Sequence, residues 1–333
     1  MLSRALQHQC QVTPHATLIV AVSGGADSLA LLAALSALAR RPHLAYTIRV
    51  AHVNHRLRAE AEQEAQQVQH IAQQLDLPCD TVALDPSAAT SNTSAWARRE
   101  RYRALAQIAE EHSAHAVVTA HHGTDQLETL LLNLMRGTGT AGLAAMRWRK
   151  RVYGCDVIRP LLNQTHQACV QLCESIGWSW VEDPSNGQIS QRRNRIRAQL
   201  LPVVEQIAPG LDARIHRMTD QLADLSQFLS LSAQDLIEEA QRTADAGTAS
   251  IEFDRSVLAA AHRVVVAEAI RKSAVQLGAP ARKLNASTLT AAARAVMDSH
   301  RHPRTIELAG DVTVRVTSRT VRMDAGRTGG EPQ

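Results

Sequence analysis

The segment Ser23-Gly24-Gly25-Ala26-Asp27-Ser28 gathers two glycines, two hydroxyls and one carboxylate. Paired glycines let a backbone adopt positive φ and approach a ligand closely. Ser23 and Ser28 add hydroxyl donors, and a helix starting here presents free N–H groups and a partial positive charge to an anion. Asp27 is the informative member. A carboxylate beside bound phosphates repels them unless a divalent cation lies between, so Asp27 implies Mg2+. No lysine of the Walker A type accompanies the loop, so cleavage between β and γ phosphates is not the expected chemistry. The competing reading is a Gly-Gly turn with a capping aspartate, and the position of the loop in the fold must decide between them.

The elements around the loop favour the anion site. Residues 17–22 form a short β-branched run that predicts a strand ending at Ser23, with an Ala/Leu-rich helix following to about residue 40. A second strand over 46–51 ends in His52-Val53-Asn54-His55. Ala61, Ala65, Val68, Ala72 and Leu75 recur at helical spacing, and Pro78 stops that helix before a strand over 79–84. A charged helix over 94–112, a strand over 116–120 and a helix over 125–135 complete the alternation. Strands alternating with helices indicate an α/β parallel sheet covered on both faces, which binds ligands beyond the carboxyl ends of its strands. Three of those ends carry polar clusters, SGGADS, HVNH and HHGTD, far apart in sequence but gathered by this topology around one crevice.

Further along, the period predicts helices over 165–176, 212–240, 257–278 and 288–297. A terminal hairpin turns at Gly310-Asp311 between alternating Ile306, Leu308 and Val312, Val314, Val316. Residues 242–250 are small and polar and read as a linker, and 324–333 as a disordered tail. Two basic clusters, Arg147-Trp148-Arg149-Lys150-Arg151 and Arg192 to Arg197, could neutralise nucleic-acid phosphates; a solvated face is the plainer reading of either.

The loop resembles the SGGxDS PP-loop of N-type ATP pyrophosphatases, which release AMP and pyrophosphate while adenylating a substrate oxygen. The resemblance narrows with His121-His122-Gly123-Thr124-Asp125-Gln126-Leu127-Glu128-Thr129 and Arg136-Gly137-Thr138-Gly139-Thr140-Ala141-Gly142-Leu143. Asn54-His55-Arg56-Leu57-Arg58, Ala97-Arg98-Arg99-Glu100-Arg101-Tyr102 and Arg159-Pro160-Leu161-Leu162 continue it. So do Glu182-Asp183-Pro184-Ser185-Asn186 and Arg193-Asn194-Arg195-Ile196-Arg197 with Leu201-Pro202. Together these are similar to the signature of the tRNA(Ile)-lysidine synthetase family. The implied fold is a Rossmann-like PP-loop domain of the adenine nucleotide alpha hydrolase type over 1–205. A helical linker over 206–246 and a small α+β tRNA-binding domain over 247–323 follow, and the second C-terminal domain of longer members is expected to be missing.

The resemblance also implies a reaction. ATP adenylates the oxygen at carbon two of the wobble cytidine of tRNA(Ile) with a CAU anticodon, and the amine of free L-lysine displaces AMP. ATP is expected at Ser23, Gly24, Gly25, Ala26, Asp27 and Ser28, with Mg2+ on Asp27. His52 and Asn54, with His55, end the second strand where a base would lie, and equally where they would satisfy loop carbonyls. Lysine is expected at His121, Asp125 and Glu128; the two carboxylates, three residues apart, would face the crevice, hold the cationic amine and take its proton. Arg101 would stabilise charge at the adenylated cytosine, and Arg192, Arg193, Arg195, Arg197, Arg147 and Arg149 would meet the tRNA. Thr124 departs from the family, which more often has an acidic residue there.

Composition sets the outer limits. The 333 residues suit two domains, 45% of them are apolar, and only 3% are aromatic, which argues against rows of aromatics stacking on RNA. Thirty-six Lys and Arg against 32 Asp and Glu give a net charge of +4, which permits a polyanionic partner. Five scattered cysteines indicate reduced thiols, and Cys169 and Cys173, spaced like one helix face, read as packing inward. With no CxxC pair in the sequence, the alternative of a PP-loop thiolase acting on tRNA loses its sulfur or cluster carrier. A degenerate nucleotide- or RNA-binding module is the other alternative, against which stand the intact loop and both helix carboxylates. The longest apolar stretch, from Leu29 to Ala39, is interrupted by Ser36 and falls short of the roughly 20 residues of a membrane helix. The N-terminus carries no signal-peptide core. The expectation is a soluble cytoplasmic chain with no membrane partner, a homodimer being among the assemblies it allows.

Overall fold

A computed structural model describes residues 1–56, 61–88, 93–181, 191–242, 250–298 and 302–326. The chain divides into two compact units, Met1–Gly137 with Gly142–Asp220, and Thr138–Ala141 with Gln221–Gln333.

The first unit opens with a short helical segment, α1 (Leu2–Arg4), and then alternates β1 (Thr17–Ala21), α2 (Ala26–Ala39), β2 (Thr47–Asn54), α3 (Ala61–Gln74), β3 (Cys79–Ala83), α4 (Thr93–Glu111), β4 (Ala116–Val118) and α5 (Gly123–Met135). The strand order is β3-β2-β1-β4, extended by two further strands, β6 (Cys155–Ile158) and β5 (Arg149–Val152). All pairs are parallel except β5 with β6. β1 shows why such strands read as unbroken apolar runs: Leu18, Ile19 and Val20 are all fully buried because both faces of the sheet are covered. α2 is likewise apolar almost all round, whereas α3 buries only one face, with Ala65, Val68, Ile71 and Ala72 inward.

The chain leaves β1 toward β2 and β3 and then returns to place β4 on the other side of β1. The order reverses between β1 and β4, and a crevice opens at the carboxyl ends of strands flanking such a point. Those two ends are the SGGADS loop and the His121-His122 pair.

Two strands in this unit escaped the sequence reading. Arg149–Val152 and Cys155–Ile158 form a hairpin turned by Tyr153 and Gly154 at φ 49° and 82°, the paired positive φ values of a two-residue hairpin turn. The basic cluster is therefore partly an edge strand, and charged side chains are what such an edge uses to resist pairing with another chain.

Downstream come α6 (Thr140–Leu143), α7 (His166–Ser175), α8 (Gln191–Arg195), α9 (Leu201–Ile207) and the long α10 (Leu211–Ala240). A π-helical turn, Ile196–Leu200, joins α8 to α9. Cys169 and Cys173 pack inward as expected, at 4% and 0% exposure. Motif residues Leu57, Arg58 and Glu182 to Asn186, the middle of the 242–250 linker and the tail from 327 onward lie outside the described residues.

In the second unit the expected hairpin is the edge of a larger sheet. β9 (Arg304–Glu307) and β10 (Thr313–Val316) pair across Gly310-Asp311, and β11 (Thr320–Asp324) continues antiparallel to β10. β8 (Ser250–Asp254) and the two-residue β7 (Gln241–Arg242) complete the order β7-β8-β11-β10-β9. The helix read over 257–278 is two helices, α11 (Arg255–Ala260) and α12 (Arg263–Gln276), because His262 takes an extended conformation and caps α12 by accepting the Val264 N–H. α13 (Ala286–Met297) starts at Asn285, whose side chain accepts the Thr288 N–H. No helix among the described residues is long and apolar enough to cross a membrane.

Candidate active site

The PP-loop is held by its own hydroxyls. Ser28 Oγ accepts the Ser23 N–H at 3.1 Å, lies 3.3 Å from Ser23 Oγ and donates to the Gly25 carbonyl at 2.9 Å. Gly24 has φ +90°, a conformation that side chains other than glycine resist, and its carbonyl accepts the Val181 N–H. Gly25 caps α2, so the N–H groups of Ala26 and Asp27 have no intrahelical acceptor and point where an anion would sit.

Asp27 lies between two imidazoles. His166 Nδ1 is 2.8 Å from Oδ1 and His122 Nε2 is 3.5 Å from Oδ2. Burial works against ionised Asp27, but hydrogen bonds from His122 and His166 prevail and hold its carboxyl well below the usual carboxylate range. An ionised carboxylate is the hard oxygen donor that Mg2+ takes together with phosphate oxygens and waters, so Asp27 fits that ion in a nucleotide-bound site.

Across the crevice, His122 caps α5, and its N–H donates to Asp125 Oδ2 at 3.2 Å. Burial disfavours the His122 cation, yet Asp125 and Asp27 outweigh it and raise the imidazole above its ordinary value. His121, one residue earlier, goes the opposite way. Removal from water, together with Arg159, Arg98 and Arg101, outweighs the pull of Asp125 and pushes it down to about 3. At neutral pH His121 is therefore a neutral ring, its Nδ1 3.0 Å from Thr119 Oγ1. Arg101 itself is lowered by burial and makes no ion pair among the described residues.

The expected carboxylate pair is present, and it is occupied. Glu128 has no exposed side-chain surface, and its Oε1 and Oε2 accept Arg197 Nε and Arg193 Nε, each at 2.6 Å. Arg193 also reaches Asp125 Oδ1 at 3.1 Å, and Arg197 reaches it at 3.5 Å. Burial again opposes ionised Asp125, and His122 and Arg193 hold it below the usual range. Two of the arginines assigned to RNA phosphates thus turn into the site, while Arg192 and Arg195 of the same helix stay exposed.

The remaining assignments separate further. His52 Nδ1 meets the Val22 carbonyl at 2.8 Å, and burial lowers its pKa. Asn54 spans the end of β2, donating to the Ala61 carbonyl and accepting the Arg56 N–H. Both therefore have partners in the adjoining loops. Arg149 is committed inside the protein, to the Cys10 and Gln11 carbonyls and to Asp156 at 2.6 Å. Arg147 is half-buried, and its carbonyl accepts from Arg159.

Several residues here were not singled out as site residues by the sequence reading. His122 was visible as half of a His-His pair at a strand end and Arg159 as part of the Arg159-Pro160-Leu161-Leu162 motif, neither with an assigned role. His166 had no local signal because only the packing of α7 brings it in. Gln126 is 1% exposed and acts as a strut, exchanging hydrogen bonds with the backbone of Met146 and donating to Thr219 Oγ1. Thr124, the departure from the family pattern, donates its hydroxyl to Asp212 Oδ2 at 2.9 Å, so a carboxylate from α10 stands beside it.

A nucleotide-type loop at a sheet switch point, facing a buried acid pair, defines an enzyme of the PP-loop class, and residues 1–204 match the PP-loop domain family. Within that class the chain belongs to the tRNA(Ile)-lysidine synthase family. It is 39% identical over 224 residues to the tRNA(Ile)-lysidine synthase of Bordetella pertussis, covering 66% of this chain and 69% of that one. The Bacillus subtilis protein of the same name is 36% identical over 250 residues, covering 74% of this chain and 52% of its own. The chain thus spans between about half and two thirds of the length of these relatives. In fold it is similar to the U34-tRNA thiolase NcsA from Methanococcus maripaludis with its 4Fe-4S cluster, with a TM-score of 0.57 and 16% identity over 67% of this chain and 78% of that one.

Proposed function

We propose that the chain ligates L-lysine to carbon two of the wobble cytidine of tRNA(Ile) with a CAU anticodon, using ATP and Mg2+. The observation that carries the reading is the convergence of the PP-loop with Asp125 and Glu128, a buried carboxylate pair that already binds cationic side chains at 2.6 to 3.5 Å. In the first step the cytidine carbonyl oxygen attacks the α-phosphorus of ATP and pyrophosphate leaves. The loop N–H groups, Ser23 and Ser28 would hold the phosphates, and Mg2+ on Asp27 would offset their charge when bound. In the second step the lysine ammonium gives up a proton, the freed Nε lone pair attacks carbon two, AMP leaves with the former carbonyl oxygen, and the new C–N nitrogen sheds a further proton to solvent.

Each Glu128 oxygen accepts a single arginine and keeps a second lone pair. Asp125 Oδ2 accepts the His122 N–H while Oδ1 faces both arginines, so a lysine ammonium can share the pair through Glu128 and Asp125 Oδ2. Neutral His121 and ionised Asp125 are both in protonation states that can accept the proton. Arg101, a half-buried cation close to His121 with no ion-pair partner among the described residues, suits charge developing on the adenylated base. The fold likeness to a thiolase brings a second reading to mind, but the cysteines speak against it: burial pushes Cys10 and Cys169 up to about 12, far from a reactive thiolate.

The test is ATP turnover with a CAU-anticodon tRNA(Ile) transcript and radiolabelled lysine, identifying the nucleotide product. AMP and labelled tRNA, each requiring all three substrates, is the expected result. AMP without label moves the chain to another adenylating reaction, and ADP or no product removes the PP-loop reading.

A further inference from the structure

Asp27, His122 and His166 each present one ligand atom, and these atoms lie within 4.8 Å of one another. The closest approaches are 2.8 Å from His166 and 3.5 Å from His122 to the Asp27 oxygens. A tetrahedral ion with bonds of about 2.0–2.1 Å to nitrogen and oxygen needs ligand atoms roughly 3.3 Å apart. The two Asp27 contacts, one to each carboxylate oxygen, bracket that value, and with all three ligand atoms inside 4.8 Å the site closes by side-chain rotation.

The three donors come from three separate elements: the first turn of α2, the cap of α5 and the first residue of α7. The Cys173 thiol donates to the Ala26 carbonyl at 3.3 Å, which ties α7 to the start of α2. Cys169, one turn before Cys173 on α7 and 4% exposed, lies close enough to Asp27 for the carboxylate to help raise its thiol. His122 is 4% exposed, and its Nδ1 is buried without a hydrogen-bond partner. His166 has a 55% exposed side chain, so the fourth coordination position faces solvent. Asp27 and Asp125 both face His122, so a cation bound there would replace the proton that these carboxylates favour on the imidazole.

We propose that Asp27, His122 and His166 form a binding site for a borderline divalent cation of the Zn2+ or Co2+ class. Two imidazoles and one carboxylate suit such ions, whereas Mg2+ takes oxygen donors. Because Asp27 serves both, a cation held by the histidines and a Mg2+–phosphate group on the loop exclude each other. The site is therefore one for the nucleotide-free chain, and it does not depend on which substrate is adenylated.

Cobalt titration of the full, nucleotide-free chain tests this by visible absorption and equilibrium dialysis. Intense bands of four- or five-coordinate cobalt should saturate at one equivalent and be displaced by Zn2+. His166→Ala, at an exposed position, should keep the fold by circular dichroism and lose cobalt affinity by at least ~10-fold, more than the lower end of effects from outer contacts. His122→Ala should do the same. Only the weak spectrum of hydrated cobalt, or an intense band that survives His166→Ala, overturns the proposal. AMP formation under Mg2+ alone reports separately on the proposed function, so either can fail without the other.

Discussion

Replacing Glu128 with glutamine keeps the volume of the side chain and removes its charge from a fully buried position. Two guanidiniums donate to it through Nε at 2.6 Å, and both then depend on Asp125. Hydrogen bonds to charged groups contribute about 1.5–3 kcal/mol each, and breaking a buried pair costs about 3–5 kcal/mol. The Arg197 side chain is 44% exposed, so solvent screens its share, and the amide oxygen of glutamine still accepts one bond. The expected loss is about 2–4 kcal/mol, or a fall in Tm of roughly 5–15 °C for a unit of this size. All four tryptophans, Trp96, Trp148, Trp178 and Trp180, lie in the first unit, so tryptophan fluorescence during urea unfolding reads that unit alone. A double-mutant cycle with Arg193→Met should show a coupling of at least ~1 kcal/mol. A loss below ~0.5 kcal/mol with no coupling would show that the short contacts are not stabilising, and the carboxylate could not be described as a cation site.

Asp27→Ala should lower AMP formation by about two orders of magnitude or more, the effect of removing a principal charge-stabilising group; an unchanged rate removes Asp27 from the reaction. His121 is held neutral in the folded chain, with a pKa of about 3 against an ordinary 6.5. Its contribution to stability is therefore complete above pH 6.5 and is lost as the pH falls from there toward 3. Urea midpoints of His121→Gln across that range should show a shallower acid loss than the parent, with a residual slope from His52, which burial lowers in the same direction. An unchanged slope refutes the assignment. Gly123→Ala should destabilise the first unit by several kcal/mol, because the added Cβ would lie 2.3 Å from the Asp212 carbonyl oxygen and 3.0 Å from that of Gln164. Urea unfolding checks it, and a neutral result would mean that the α5 start is not so closely packed.

The parts of this fold that were legible in the sequence share a physical cause. β1 reads as a strand because it is buried on both faces and so is apolar at every position, and α3 reads as a helix because its polar side is kept in water. The PP-loop was legible because positive φ at Gly24 and close backbone approach leave few choices of residue. What was missed lacks those constraints. The β5–β6 hairpin is an edge whose Arg149-Lys150-Arg151 face resembles a solvated charge cluster, and its turn uses Tyr153-Gly154 rather than Asn-Gly. β8 and β11 are short strands that pair with each other from far apart in the sequence of the second unit, and that pairing is a property of the whole sheet. Asn54 and Arg149 show the same limit at single residues, because a polar side chain at a strand end serves a loop or a ligand and only its partners distinguish the two.

Arg193 and Arg197 carry that argument into the chemistry. A dense run of arginines on a short helix has no preferred anion until the fold provides one, and two of its members find Glu128 and Asp125 rather than a phosphate. The arrangement follows from burial. A carboxylate with no exposed surface cannot remain ionised alone, so the fold must deliver cations to it before any substrate arrives. Guanidiniums suit that task because each forked donor set reaches from a Glu128 oxygen across to Asp125 Oδ1 and still leaves a second lone pair open on each Glu128 oxygen. In the proposed reaction this keeps both carboxylates charged and aligned between turnovers. Incoming lysine then joins an existing network instead of paying to ionise and desolvate one, which places the cost of the buried acids in folding and not in catalysis.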